Sequence, residues 1–97
     1  MLHLIFRSPF NNAGLESCVR TAQKGDPVLL IEDGVIGAMA GSKAAAIIQG
    51  AQKDHEFYAL RADVKARGVD RVADGIKVVD YAGMVDLVEK HRTMSWL

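Results

Sequence analysis

The sequence has little that would support a secreted, disulfide-stabilised or membrane-spanning protein. It contains a single cysteine, Cys18, among 97 residues, so it can form neither an internal disulfide nor a cysteine-based zinc site. Its apolar runs fall well short of the roughly 18–20 residues that span a bilayer. The apolar segment Leu2–Phe6 is not followed by the cleavage-like region of a signal peptide. These absences indicate a protein of the reducing cytoplasm.

The sequence also lacks a net charge, because 12 basic side chains balance 12 acidic ones. A neutral chain has no global field to attract nucleic acid or an anionic membrane, which disfavours direct binding to either. With 49% hydrophobic residues, the chain has enough apolar side chains to fold. Its length allows a single domain over residues 1–97, and a domain this small gains stability from a partner surface.

Short apolar runs alternate with helical patterns along the chain. Strands are predicted at Met1–Phe6, Val28–Ile31, Phe57–Leu60 and Ile76–Asp80, and a terminal strand or docking tail at Thr93–Leu97. Helices are predicted at Leu15–Lys24, Val35–Ala40, Lys43–Gln49, Arg61–Arg67 and Tyr81–His91. Ser42 is positioned to cap the third of these helices. The alternation predicts an α/β fold with a mainly parallel sheet and right-handed crossovers.

Polar residues follow the predicted strands, where ligands usually meet a parallel sheet. They are Arg7-Ser8-Pro9, Glu32-Asp33-Gly34, Arg61 and Asp80-Tyr81. These residues predict either a site or interface, or only the solvated loops and helix caps that any α/β domain has. The basic stretch Arg61–Arg71 has a similar pair of interpretations, a solvated helix face or a contact with RNA or a partner.

Cys18 is the only sulfur nucleophile in the chain. As a thiolate it could accept a sulfur atom as a persulfide and pass it on. It lies, however, on the apolar stripe of the first predicted helix with Leu15 and Val19, where a free cysteine packs as a small hydrophobic residue. Both interpretations stay open, a persulfide carrier or a core residue.

No other motif indicates a metal, a cofactor or a catalytic group. None of the three histidines is at metal-ligand spacing from another, and no phosphate-binding or dinucleotide-binding glycine motif is present. We therefore expect neither a metal nor a cofactor. The apolar C-terminus with Met94, Trp96 and Leu97 either completes the core or anchors an interface.

Several segments also match a family pattern in order and spacing. They are Met1-Leu2-His3 with Arg7-Ser8-Pro9-Phe10, Val28–Val35, Phe57–Leu60 with Asp63–Gly68, and Val79-Asp80-Tyr81 with Val85-Asp86-Leu87 and Trp96. Over essentially the whole chain, the sequence resembles the DsrH/TusB family. The stretch Gly14–Cys18 is more similar to DsrH, which has a cysteine in its first helix, than to TusB forms that lack it.

The resemblance implies a three-layer α/β/α fold with a mainly parallel sheet of about five strands. It implies a cytoplasmic accessory subunit of a sulfurtransferase complex, a heterohexamer that relays persulfide sulfur. The sulfur would go toward 2-thiouridine at the tRNA wobble position or enter dissimilatory sulfur oxidation. The implied partners are DsrE/TusD-like and DsrF/TusC-like subunits and, through the complex, sulfur-carrier proteins. The principal reactive cysteine lies on the TusD or DsrE subunit, and Cys18 is the candidate persulfide carrier of this chain.

Two other functions stay open from the sequence. The chain could be a self-contained sulfurtransferase that uses Cys18, although no general base is identified that would activate the thiol. It could instead be a homo-oligomeric binding module that has no sister subunits.

Overall fold

The computed structural model describes all 97 residues and contains one five-stranded parallel sheet. Its strands are β1 (Leu2–Ile5), β2 (Val28–Leu30), β3 (Phe57–Leu60), β4 (Lys77–Val79) and β5 (Thr93–Trp96). Their order across the sheet is β4-β3-β2-β1-β5, and every neighbouring pair is parallel. Strands β2, β3 and β4 thus follow one another on one side of β1, and β5 lies on its other side. This confirms the predicted α/β fold with a parallel sheet.

Helical segments connect the strands. They are α1 (Gly14–Thr21), a 3-10 helix (Glu32–Ala38), α2 (Lys43–Ala51), α3 (Arg61–Ala66) and α4 (Tyr81–Lys90). As predicted, Ser42 caps α2, because its hydroxyl oxygen accepts a hydrogen bond from the Ala45 N–H at 3.1 Å. None of the helices is long and apolar enough to cross a membrane.

The two faces of the sheet carry separate apolar clusters. Right-handed connections place α1 to α3 on one face, and the reversal of direction before β5 places α4 on the other. The larger cluster has 17 buried residues, including Ile5 and Phe57. The smaller has four buried residues, against which Met84 and Leu87 of α4 pack. The result is the three-layer α/β/α arrangement, with one thick and one thin outer layer.

The first helix is shorter than its apolar pattern predicts. It ends at Thr21 rather than Lys24, because Ala22 takes an extended conformation. The chain then bends, and the carboxylate of Asp26 accepts a hydrogen bond from the Gln23 N–H at 3.1 Å. The bend therefore fixes Asp26 beside the start of β2.

The segment Glu32-Asp33-Gly34 belongs to a helix, whereas the sequence predicts a helix only from Val35. It forms the first turn of the 3-10 helix, and Glu32 enters it with a φ of 49°. Gly34 lies directly against the carbonyl group of Ile5, where a Cβ atom would overlap it. A tertiary contact with β1, rather than a local helix signal, thus sets where this helix starts.

Candidate functional site

Cys18 lies in the second half of α1 and points into the larger apolar cluster. Its side chain is 0% exposed, and Leu15 and Val28 belong to the same cluster. Val19, the third residue of the predicted stripe, is partly buried against it. In this conformation, Cys18 therefore packs as a core residue, and its sulfur atom is not accessible to solvent.

Burial also determines the acid–base chemistry of the Cys18 thiol. Desolvation, and after it the negative charge of Asp26, raise the pKa of Cys18 from 9.0 to about 12. The thiolate is the form that attacks sulfur, and at neutral pH it is almost absent from this side chain. Sulfur transfer by Cys18 stays a prediction, and it requires a conformation in which α1 uncovers the thiol.

Asp26 is the polar centre near the amino ends of β1 and β2. Its carboxylate accepts hydrogen bonds from His3 Nε2 at 2.9 Å, the Met1 amino group at 3.1 Å and the Gln23 N–H at 3.1 Å. Desolvation disfavours the charged form, but these donors more than offset it and lower the pKa of Asp26 from 3.8 to about 2. The carbonyl oxygen of Asp26 also accepts a bond from His55 Nδ1 at 2.8 Å. Asp26 is therefore a firmly ionised anchor for several chain segments.

His3 connects this carboxylate to the last strand. The imidazole is buried, with 3% of the residue exposed. Since the carboxylate can only accept, Nε2 carries a proton, and Nδ1 accepts a hydrogen bond from the Trp96 indole N–H at 3.1 Å. Trp96 also packs against the larger cluster. Trp96 thus completes the core, which is one of the two roles predicted for the C-terminus. Leu97 does not take part in the core, since it is 78% exposed.

At the carboxyl ends of the strands, an ion-pair network joins the predicted polar segment Glu32-Asp33-Gly34 to α3 and to Arg67 at its end. Asp63 accepts a hydrogen bond from the Glu32 N–H at 2.6 Å. Arg67 donates to both Asp63 and Asp33, each at 3.1 Å. These contacts fasten α3 to the 3-10 helix. Arg67, Asp33 and Asp63 are therefore engaged in holding the fold together.

Two shallow depressions lie at this end of the molecule. One, of about 270 Å³, is lined by Arg61, Ala62, Lys65, Asp80 and Tyr81. The other, of about 210 Å³, lies between α2 and the loop after β1, where Phe10 is 62% exposed. Asp80 caps α4 by accepting a bond from the Gly83 N–H at 2.9 Å. Neither depression contains Cys18, and no cluster of acidic, histidine and cysteine side chains is arranged to hold a metal ion.

The outer helix α4 has an exposed apolar flank. Tyr81, Val85 and Val88 follow one another at i, i+4 and i+7 and are 60%, 46% and 42% exposed. No residue of α4 is buried, although Met84 and Leu87 rest on the smaller cluster. One face of the sheet is therefore covered by a single helix that itself has no outer neighbour.

The network around Asp26 was not predicted from the sequence. Its members are 23 positions apart for His3 and Asp26 and 93 positions apart for His3 and Trp96. One local signal does exist, because a histidine in a buried apolar strand needs polar partners. That signal predicts that partners exist but does not identify them.

Comparisons with known proteins identify relatives along the whole chain. Residues 7–94 match the family described as DsrH like protein. Protein TusB from Serratia proteamaculans (strain 568) is 38% identical over 98 residues, which cover 99% of this chain and 100% of that protein. Protein TusB from Enterobacter sp. (strain 638) is 39% identical with the same coverage.

Solved structures show the same fold at low sequence identity. The YchN protein of E. coli superposes with a TM-score of 0.73 at 9% identity and covers 97% of both chains. Protein MTH1491 of Methanobacterium thermoautotrophicum has a TM-score of 0.73 at 18% identity, covering 97% of this chain and 95% of that one. With the family match over residues 7–94 and TusB relatives that align from end to end, this chain belongs to the DsrH/TusB family.

Proposed function

We propose that this chain is an accessory subunit of a cytoplasmic sulfurtransferase complex that relays persulfide sulfur toward 2-thiouridine at the tRNA wobble position. Family membership supports a place in such a complex. The full-length relatives are named TusB, which favours the tRNA route. Dissimilatory sulfur oxidation is the alternative route, because the cysteine in the first helix is similar to DsrH.

The burial of the only thiol is the observation that carries the accessory role. A subunit that receives persulfide sulfur needs a thiolate that a donor can reach. Cys18 is 0% exposed and its pKa is raised to about 12. In the related complexes, the principal reactive cysteine lies on the TusD or DsrE subunit. This chain then contributes by binding and positioning that sister subunit.

The flank of α4 supports docking to a sister subunit. Contiguous exposed apolar patches on a soluble protein are candidate interaction surfaces. Tyr81, Val85 and Val88 form such a stripe on the thin side of the sheet. Since a small chain has little stability to spare, a TusC-like or TusD-like subunit seated on this stripe would cover α4 and stabilise both chains.

Coexpression with the TusC-like and TusD-like proteins of the same organism tests the proposal. We expect the three chains to co-purify as one assembly and the assembly, but not the isolated chain, to transfer sulfur from a persulfide donor. Deletion of the gene for this chain should remove 2-thiouridine from the wobble position, as measured by nucleoside mass spectrometry. Intact 2-thiouridine together with impaired sulfur oxidation would favour the alternative route.

The variant Cys18→Ala separates an accessory subunit from a self-contained enzyme. We expect the complex that carries it to retain sulfur transfer, provided that urea denaturation shows the variant to be folded. Sulfur transfer by the isolated wild-type chain, lost in the variant, would instead establish an enzyme that uses Cys18. A chain that forms only homo-oligomers beside its candidate sisters in analytical ultracentrifugation would indicate a binding module.

A further inference from the structure

We propose that His3 is a pH-sensitive latch, which holds Trp96 and the end of the edge strand β5 when neutral and releases them when protonated. The latch does not depend on the function proposed above. It rests on the hydrogen bonds that join Asp26, His3 and Trp96 and on the position of β5 at the edge of the sheet.

Both ring nitrogens of His3 are engaged, and each requires a different role. Nε2 donates to the Asp26 carboxylate at 2.9 Å, and Nδ1 accepts from the Trp96 indole N–H at 3.1 Å. Only a neutral imidazole can donate at one nitrogen and accept at the other. A proton added at Nδ1 would face the indole N–H, so two donors would meet and the His3–Trp96 bond would break.

The bond on the other side of the ring would survive protonation. An imidazolium still donates to the Asp26 carboxylate from Nε2, and the bond is stronger because both partners are then charged. The two nitrogens therefore respond in opposite ways to one proton. The ring stays with Asp26, and Trp96 is the partner that must move.

The charges around His3 come from several elements. Asp26, before β2, is the anion in contact with the ring, and the Met1 amino group lies 3.1 Å from the same carboxylate. His55, before β3, bonds the carbonyl oxygen of Asp26 at 2.8 Å. On α1, Cys18 is buried and Arg20 is exposed in the last turn. Strand β5 contributes no titratable side chain. His55 and the amino group are thus the nearby groups that a test must separate from His3.

Trp96 is the residue of β5 whose side chain packs against the larger cluster. The other three residues of this strand are exposed, and its only sheet neighbour is β1. The Trp96 indole ring lies 6.1 Å from the His3 imidazole, centroid to centroid. Loss of this bond would loosen the end of β5 and change the edge of the sheet, where another chain can pair.

Intrinsic fluorescence tests the latch directly, because Trp96 is the only tryptophan. As the pH is lowered from neutral to just above the onset of acid unfolding, we expect a one-proton red shift of the emission with unchanged far-ultraviolet circular dichroism. The variant His3→Gln should lose the shift, since its amide can both donate and accept but does not titrate. The matched variants His55→Gln and His91→Gln should keep it.

Proton NMR of the wild-type chain provides a measurement that needs no variant. The single indole N–H signal should move with pH at the same midpoint as the ring protons of His3. Different midpoints would overturn the latch, as would a shift that persists in folded His3→Gln. A wild-type emission that stays constant down to the onset of acid unfolding would overturn it as well.

Discussion

Cys18 is expected to resist thiol reagents in the folded chain far more strongly than an ordinary cysteine. Its pKa is raised from 9.0 to about 12. Each pKa unit is a factor of ten in the thiolate population, so the three-unit difference lowers the reactive fraction at neutral pH about a thousandfold. The side chain is also 0% exposed. Reaction of the thiol therefore requires a local opening of α1, and the free energy of that opening sets a separate limit on the rate.

Alkylation by iodoacetamide, followed by intact mass spectrometry, measures this protection. The rate at pH 7 is compared between the native chain and the same chain unfolded in urea, where the thiol has its ordinary acidity. We expect the native rate to be lower by at least about a thousandfold. Rapid addition of one adduct to the folded chain would refute the reasoning, because it would show a reachable thiolate and favour Cys18 as a persulfide acceptor.

Other side chains test the fold and the proposed docking surface. Gly34→Ala should lower the free energy of unfolding by at least about 3 kcal/mol or prevent folding, because the added Cβ would overlap the Ile5 carbonyl. Gly50→Ala, on the open side of α2, should raise the free energy of unfolding by about 0.5–1 kcal/mol in urea denaturation. The Asp26 carboxylate, with its pKa lowered from 3.8 to about 2, should contribute up to about 2 kcal/mol above pH 4. That contribution should vanish as the pH falls toward 2, and Asp26→Asn should flatten this part of the curve of unfolding free energy against pH. Val85→Lys should leave the stability of the isolated chain within about 0.5 kcal/mol but reduce co-purification of the TusC-like and TusD-like subunits; unchanged recovery would contradict docking on α4.

Elements with a local signal could be predicted from the sequence. Strand β3 spans Phe57–Leu60, the full length of its apolar run. The cap of α2 by the Ser42 hydroxyl could be predicted because the capping contact reaches only three residues along the chain. The alternation of such elements was sufficient to predict a parallel α/β sheet, since few other topologies accommodate it.

Features that depend on distant contacts could not be predicted in the same way. The 3-10 helix starts at Glu32 and not at Val35, and Gly34 within its first turn lies against the carbonyl of Ile5. The bonds from His3 to Asp26 and Trp96 depend on which strands become neighbours. A residue pattern specifies which face of an element is apolar, but the order of the strands decides which polar groups meet.

The apolar stripe of α1 that contains Cys18 could be predicted only in part from the sequence. Its spacing predicts that the cysteine faces the sheet with Leu15, and it does. The depth of burial, and with it the pKa of the thiol, depends on how the neighbouring elements close around α1. The same pattern was therefore compatible with a carrier near the surface and with a core residue.

Burial of the thiol also limits how this chain could take part in sulfur transfer. To present Cys18, α1 would have to separate from the sheet and expose Leu15, which is 2% accessible, along with its part of the larger cluster. In a small domain, the free energy required for an opening of this size approaches the free energy of global unfolding. A sister subunit could supply that free energy only by binding the opened form more tightly than the closed one. Alkylation of Cys18 within the assembled complex decides between the two cases: unchanged protection corresponds to a docking subunit, and faster labelling corresponds to a subunit that opens on assembly.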